Sequence, residues 1–423
     1  MEKRRKLLDF AYKSLIVVSL LALFFIAGKS LAETNPNNRL YADFVGYYRS
    51  AKMVLSDDRS KIYDRELQLK YFNSLAAAQE SSEFIYSQNP PFFFILLAPF
   101  ALLPLNLSFK IWIALSVLSA WAATFFMMKN LHGSKASDTM FFALAGLLSA
   151  PGWICISVGQ MSWFMTALFA LYFGALWARK EFLCGLAIAL STSKFQYVFI
   201  LGTALLGQMR WKAIAWAIAS ELVLLGISAF VIGVGNVINY PSLLFNAETT
   251  KDYSGVFPEY MISMRGVLSL FLDRHAALLA SSILMFASLF PLVLLWFHSK
   301  TDSTKSSFVW ASSITVCTAL LVSAHTHIYD DLLLLVPAAL SLPLLFVNRT
   351  TELTETKKTS AALEKLWSLL ILSFPYLSWM LLIICNSFDA VRRTPFAFLN
   401  LVLLLCAVYF FFQGKQSKQK GDA

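Results

Sequence analysis

Twelve apolar stretches, most of them long enough to cross a bilayer, are separated by connectors that are mostly short and, on alternate turns, basic. A chain of this pattern has few folded states open to it. Apolar runs of roughly 17–25 residues need lipid as their solvent. In lipid each backbone N–H and C=O must be satisfied within the segment, which leaves the helix. The stretches are 8–27, 107–128, 139–157, 162–178, 182–193, 195–209, 211–233, 276–297, 306–324, 330–347, 366–385 and 395–413. At 1.5 Å per residue, 182–193 and 195–209 fall short of the ~30 Å hydrocarbon layer, which predicts a hairpin of short helices in a thinned or protein-lined region. The expected fold class is an all-α polytopic membrane protein, one integral membrane domain over 1–423 with about twelve transmembrane helices. With 58% hydrophobic and 14% charged residues, a soluble globular chain and a disordered one are both excluded. The net charge of +10 lies between the apolar runs. It therefore marks loops that face anionic headgroups, and membrane lipids rather than nucleic acid are the expected partners.

The basic connectors fix an orientation. KNLHGSK, ARKE, QMRWK and HSKTDSTK, the N-terminal Lys3 to Lys6, the linker with Lys357 and Lys358, and the tail GKQSKQKG all fall on one side of this span count. By the positive-inside rule that side is the cytoplasm. The expected localisation is a cell (inner or plasma) membrane, multi-pass, with both termini cytoplasmic. The first apolar run also has the features of a signal peptide, with Ser30-Leu31-Ala32 as a cleavage site; the uncleaved span is preferred, and either reading puts residue 33 outside. The run PPFFFILLAPFALLP at 90–104 is short and holds four prolines, so it is placed as an interfacial or re-entrant element on the outer face. Two large outer loops follow, 28–106 and 234–275, and residues 348–365 form a cytoplasmic linker. In the first loop, Phe44, Tyr47, Tyr48, Ala51, Val54 and Leu55, then Leu67, Tyr71 and Leu75, recur at helical spacing and predict amphipathic helices lying on the membrane surface. The five cysteines have no metal-type spacing and read as buried small hydrophobes.

Three outer segments carry groups capable of chemistry. In YADFVGYYRSA, Asp43 stands among aromatics, where a partly apolar setting raises a carboxyl pKa toward that of a general base; the bland alternative is a helix cap. Asp64 reads as a cap, and Asp57 with Asp58 as a solvated turn. In IALSTSKFQYVFI, Lys194 sits at a membrane-depth turn, where an ammonium needs an anion, water or a route to the interface. Gln160, in SVGQMSW, is a cap or an interhelical hydrogen-bonding group. In HTHIYDDLLLLVP, His325, His327, Asp330 and Asp331 cluster at a span boundary, as a metal site, a phosphate site or an ordinary polar turn capped by Asp330. Arg265 adds an outer cation. There is no G-x-x-x-x-G-K-[ST] or G-x-G-x-x-G in the required context, so cytoplasmic nucleotide chemistry has no support.

Taken in order, Asp43 with its Tyr47-Tyr48 pair, IYD at 62–64, the NPPFFFILLAPFALLP block, Gly159-Gln160, GLAIALSTSKFQ, SMRGVL and HIYDDLLLL resemble glycosyltransferase family 87, of the GT-C superfamily, over roughly residues 40–340. The resemblance implies a GT-C-type fold with outer-face juxtamembrane helices. It implies transfer of a hexose, usually mannose, from a polyprenyl-phosphate carrier to a lipid or glycan acceptor at the extracytoplasmic face, with inversion of the donor anomer. It makes Asp43 the base. Lys194, Arg265, His325, His327 and Gln160 become candidates for the donor phosphate and sugar, and Tyr47 and Tyr48 for the acceptor or lipid. With protein cations serving the phosphate, no cofactor and no essential metal are expected. The competing readings are a transporter or flippase of lipid-linked sugars, suggested by the mid-span Glu221, and an outer-face polysaccharide polymerase or ligase.

Overall fold

The structure, a computed structural model, describes residues 42–75, 84–249, 257–302, 304–346, 369–387 and 393–419, together with positions 18, 21, 25 and 367. The expected first span 8–27 lies almost wholly outside the described residues, and the linker 348–365 lies entirely outside them. What is described is nearly all helical. The first loop holds α1 (Ala42–Val54), a 3-10 turn (Asp57–Lys61), α2 (Arg65–Asn73) and α3 (Pro91–Leu97), which runs on as a 3-10 turn over Ala98–Leu102. Then come α4 (Leu105–His132), α5 (Ala136–Leu148), α6 (Ala150–Val158), α7 (Ser162–Trp177), α8 (Glu181–Ser191) and α9 (Gln196–Gly207). They are followed by α10 (Trp211–Ile232), α11 (Val234–Thr249), the short α12 (Met264–Leu268), α13 (Arg274–Asp302), α14 (Lys305–Val322), α15 (Leu335–Phe346), α16 (Phe374–Ser387) and α17 (Thr394–Gln419).

Among the described residues, α4, α10, α13, α14 and α17 are long and apolar enough to cross a membrane, and α5 with α6 make a sixth span only if a 70° bend is allowed. This is fewer than the twelve expected. The reason is physical where the chain is described: α7, α8, α9 and α16 are apolar but only 16, 11, 12 and 14 residues long. The stretch 139–157, read as one span, breaks at Ser149, whose hydroxyl accepts from Gly152 N (3.1 Å), with Pro151 in the first turn of α6. A helix restarts readily at a Ser cap followed by Pro, because the missing N–H is one of the unpaired ones.

Helix α4 lies along α7, α7 along α8, α8 along α10, α9 along α13 and α14 along α17. Small residues set the approach. A Cβ on Gly174 would sit 2.8 Å from Met127 Cα, and one on Gly185 2.5 Å from Ala217 N, the close backbone contact by which helices associate without water to drive them. Helix α10 is buried over only 6% of its most apolar stretch, so most of its side chains outside the contact with α8 are left for lipid to cover.

The first loop departs from the surface-helix expectation. Helix α1 is enclosed by protein on all sides: Phe44, Val45, Tyr47, Tyr48, Ala51, Met53 and Val54 are all buried, as are Arg49 and Ser50. The apolar stripe read from the sequence passed over Val45 and Met53, which face other sides. The proline-rich run supplies the cover. Its twelve helical residues are too few to span, and Phe92, Phe93, Phe94, Leu97 and Ala101 pack inward against α1. At the other end of the bundle, the connectors after α7, α9 and α13 meet around one cavity.

Candidate functional site

The site is assembled from four turns. The first is the start of α1, where Asp43 stands in the opening turn. Phe44 anchors that turn on Phe109 (centroids 5.5 Å apart), and Tyr47 packs edge-on against Phe93 (5.1 Å). The Tyr47 hydroxyl donates to Gln160 Oε1, which also accepts from Met161 N (2.9 Å). Gln160 follows Gly159, which closes α6 at φ +74°, the left-handed conformation that glycine alone adopts freely. A Cβ there would also lie 2.4 Å from Phe44 Cβ.

The second turn joins α8 to α9 and is a 3-10 turn over Thr192–Lys194. Lys194 is buried, and its ammonium donates to Asp330 Oδ1 at 2.5 Å while lying 5.0 Å from the centre of the Tyr329 ring. Asp330 belongs to the third turn, a 3-10 segment over Ile328–Leu334. It is fully buried and also accepts from Ser162 Oγ (2.6 Å) and from His327 N (3.0 Å). A buried carboxylate survives only with such a set of donors. Its neighbour Asp331 faces the other way and accepts from Asn400 Nδ2 of α17 (2.9 Å).

The fourth part is the end of α11. Glu248 binds the Arg265 guanidinium with one oxygen, and its other oxygen lies 3.3 Å from His325 Nδ1. Burial pushes the Glu248 carboxyl up, but the imidazole and the guanidinium outweigh it and hold the group at about 2. Arg265 also donates to Ala324 O (2.9 Å) and has no exposed surface. His327 is buried against Tyr260 O, with its ring 4.8 Å from that of His325. Burial, then the charges of His325 and Lys194, push it well below its usual value.

These turns enclose a cleft of about 120 Å³ lined by Asp43, Tyr47, Gln160, Lys194, His325 and Glu248, among others. Ligand cavities usually start at about 300 Å³, so this space suits the reacting groups rather than whole substrates. Asp43 is half-buried on its wall. Burial raises its carboxyl to about 6, against the lowering pull of Lys194 and His325, while Asp330 adds to the rise. Residues 85–89 form the opposite wall, and Arg49 holds them, donating to Ile85 O (2.8 Å), Ser87 Oγ (3.1 Å) and Gln68 Oε1 (2.8 Å).

Of the residues singled out in the sequence, Asp43, Tyr47, Gln160, Lys194 and His325 share this cleft, and three do not line it. Tyr48 turns away to donate to Leu103 O (2.7 Å), and Arg265 and His327 sit behind Glu248 and His325. Asp64 caps α2, accepting from Leu67 N at 2.9 Å, and Asp58 accepts from Tyr71. Glu221 accepts from Thr192 Oγ1 (3.2 Å) of the neighbouring hairpin. The sequence reading missed Glu248, although it is the one acid between Glu221 and Asp252. It also missed Ser162 and Tyr329, which nothing in their local pattern marks. Among the described residues, no three His, Cys, Asp or Glu side chains come together as a metal site.

No curated protein matches the chain. The profile of glycosyltransferase family 87 matches residues 86–324, more than half of it. The matched region includes Gln160, Lys194, Glu248 and Arg265, and its edges leave out Asp43, His325 and Asp330. With its long apolar helices and this match, the chain belongs to glycosyltransferase family 87 and is a membrane glycosyltransferase.

Proposed function

We propose that this glycosyltransferase moves a hexose, mannose by the resemblance stated above, from a polyprenyl-phosphate carrier to a hydroxyl of a lipid or glycan acceptor, in one inverting displacement at the extracytoplasmic face, on a GT-C-type fold. The observation that carries the reading is the placement of Asp43 in one small cleft with Lys194 and His325. Asp43 takes the acceptor proton as the acceptor oxygen bonds to the anomeric carbon. The bond from that carbon to the phosphate oxygen breaks, and its electron pair leaves on the polyprenyl monophosphate. A carboxyl held at about 6 is half-poised as a base near neutrality. The leaving phosphate gains negative charge, which the N–H groups of Lys194 not used by Asp330, and the His325 ring held beside Glu248, are positioned to stabilise. Gln160 and Tyr47 supply hydrogen-bonding groups for the sugar. Arg265 and His327 act as positioning residues. The reading assigns no cofactor and no essential metal.

Sidedness rests on the basic connectors. Those at 178–181, 208–212 and 298–305 contribute to one cavity at the far end of the helices from Asp43. If that end is cytoplasmic, the cleft opens on the other side.

The test is transfer from synthetic polyprenyl-phosphate-mannose by the purified protein in nanodiscs containing membrane lipid acceptors, with products read by mass spectrometry. Asp43→Asn is expected to lower the rate by about 10³-fold or more, within the range for losing a general base, with the elution profile and thermal unfolding of a folded protein. A chelator leaves the wild-type rate unchanged. Undiminished transfer by Asp43→Asn removes the base. Sugar taken from a nucleotide donor and not from the lipid donor removes the carrier.

A further inference from the structure

The cavity at the other end of the bundle is larger than the reaction cleft, about 510 Å³, and no part of the chemistry above uses it. Its walls are the connectors between α7 and α8, between α9 and α10, and between α13 and α14. The first two are the same turn built twice. Lys180 N donates to Ala175 O (2.9 Å) as Arg210 N donates to Leu205 O (2.8 Å). In each, the second residue past the helix is left-handed, Arg179 at φ 55° and Met209 at φ 54°. Glycine is the usual residue at that position, because a Cβ is strained there. They are the two non-glycine residues of positive φ among the described residues, and both line this cavity.

The charges around it do not balance. Arg210 closes on Glu181 with two hydrogen bonds (2.6 and 3.2 Å), so the one acid on the wall is already paired. Arg179 and Lys300 also line the cavity and are exposed, and their side chains have no ion-pair or hydrogen-bond partner among the described residues. Two spare cations beside an engaged arginine, facing one cavity, are the chemistry of phosphate recognition. The surroundings indicate its source. Met209, which lines the cavity, is 49% exposed, Trp211 two residues on is 63% exposed, and Phe182, 48% exposed, packs edge-on against Trp216. Exposed aromatics next to basic residues mark the headgroup layer of a bilayer.

We propose that this cavity binds the phosphate of an anionic phospholipid headgroup, held by Arg179 and Lys300 beside the Arg210–Glu181 pair. The site is separate from the transfer reaction. The lipid headgroup bridges the three connectors and fixes the bundle at that interface.

The experiment compares nanodiscs of phosphatidylcholine alone with nanodiscs that also contain phosphatidylglycerol, reading retained lipid by native mass spectrometry and thermal stability in each. The wild type is expected to retain phosphatidylglycerol and to melt higher when it is present. Arg179→Gly combined with Lys300→Gln removes two cations and should weaken retention by roughly 30-fold, from about 1 kcal/mol for each basic residue at a charged surface. Arg179→Gly suits the turn, so loss of binding will not be loss of fold. Met209→Gly relieves the matching turn without changing charge and should retain the lipid fully. Transfer activity in phosphatidylcholine alone should be the same for all three proteins. Equal retention of phosphatidylglycerol by the double variant overturns the proposal. So does displacement of the lipid by millimolar inorganic phosphate, which would make the ligand a soluble anion, and so does loss of the lipid in Met209→Gly, which would make turn geometry rather than charge the cause.

Discussion

The two ends of the α8–α9 hairpin hold ion pairs of the same chemical kind in opposite surroundings. At the cleft, the side chains of Lys194 and Asp330 are 9% and 0% exposed and meet at 2.5 Å, with Ser162 and the His327 amide also bound to the carboxylate. At the other end, Arg210 and Glu181 meet at 2.6 Å with 14% and 26% exposed, beside cations that have no partner. Water separates the cases. Where it reaches the pair, either member can be re-solvated, and the contact adds little. Where it does not, each charge obliges the other to be present. The buried pair can therefore hold an ammonium at a fixed place in a small cleft, whereas the open end can exchange partners with the bilayer.

Breaking one member of each pair gives the largest contrast. Asp330→Ala strands the Lys194 ammonium and two further donors, and should lose about 3–5 kcal/mol of stability, with transfer abolished. Glu181→Ala should lose no more than about 1 kcal/mol. Thermal unfolding in one detergent checks both. Lys194→Met combined with Asp330→Leu should regain most of the stability and none of the activity, because an apolar pair replaces a buried ionic one at little cost. If Asp330→Ala melts like Glu181→Ala, the pair is solvated and the contrast fails.

The same comparison can be made with glycine. Gly159 and Gly133 have nearly equal backbone angles, φ +74° and +71°, and close helices at the cleft end and the basic end. Nothing lies within 4 Å of a Cβ on Gly133, whereas one on Gly159 would strike Phe44 and Phe109. Gly133→Ala should therefore cost only the left-handed strain, about 1–2 kcal/mol. Gly159→Ala adds overpacking of about 1–3 kcal/mol and displaces Gln160 from Tyr47, so its transfer rate should fall while that of Gly133→Ala does not.

These pairs also explain what could be read beforehand. Helices and basic connectors follow from local pattern, and Asp43, Gln160, Lys194 and His325 were noticeable because polar groups beside apolar spans are costly wherever they go. Their partners were not legible. Lys194 and Asp330 are 136 residues apart, and Ser162 and Asp330 are 168 apart; only packing brings them together. Arg265 looked like an outer cation because its sequence neighbours do not show that Glu248 and Ala324 O take up its donors. The bend at Ser149 was legible, since a serine two residues before Pro151 is a helix-start signal, but continuous hydropathy masked it. The number of long helices among the described residues is lower than the number of apolar stretches for a related reason: hydropathy reports whether a segment is apolar, and helices of 11 to 16 residues such as α7, α8, α9 and α16 can be apolar throughout without being long enough to cross.

The acidic groups of the cleft should separate in their response to pH. Asp43 has its folded value raised from 3.8 to about 6, so its contribution to stability is full below 3.8 and is lost as pH rises to about 6. Glu248 runs the other way: lowered from 4.5 to about 2, its contribution is present above 4.5 and is lost as pH falls through about 2. The transfer rate, if Asp43 is the base, should rise about tenfold per unit up to pH 6 and then level. Activity and the Asp43 share of stability therefore move in opposite directions across one interval. Asp43→Asn should melt higher than wild type at pH 7.5 and no higher at pH 4, and a rate profile that is flat between pH 5 and 7 would remove Asp43 from the proton transfer.

The smallest effect is expected at Glu221, and it tests whether the two ends communicate through an ion path. Glu221 lies mid-helix in α10 and accepts from Thr192, two residues before Lys194. A transporter needs such an acid to exchange protons or ions between the two faces, so Glu221→Gln would abolish its turnover. In an enzyme that uses one cleft, the amide keeps an oxygen for the Thr192 hydroxyl, and removing the charge relieves its desolvation near lipid. Glu221→Gln should then change stability by less than about 1 kcal/mol and leave transfer within twofold of wild type. Thr192→Val, which leaves the carboxylate without its donor, should be the more damaging of the two. The reverse order, with Glu221→Gln inactive and Thr192→Val active, would mean that the charge itself works between the two ends, and that the separation between a closed ionic cleft and an open basic end is incomplete.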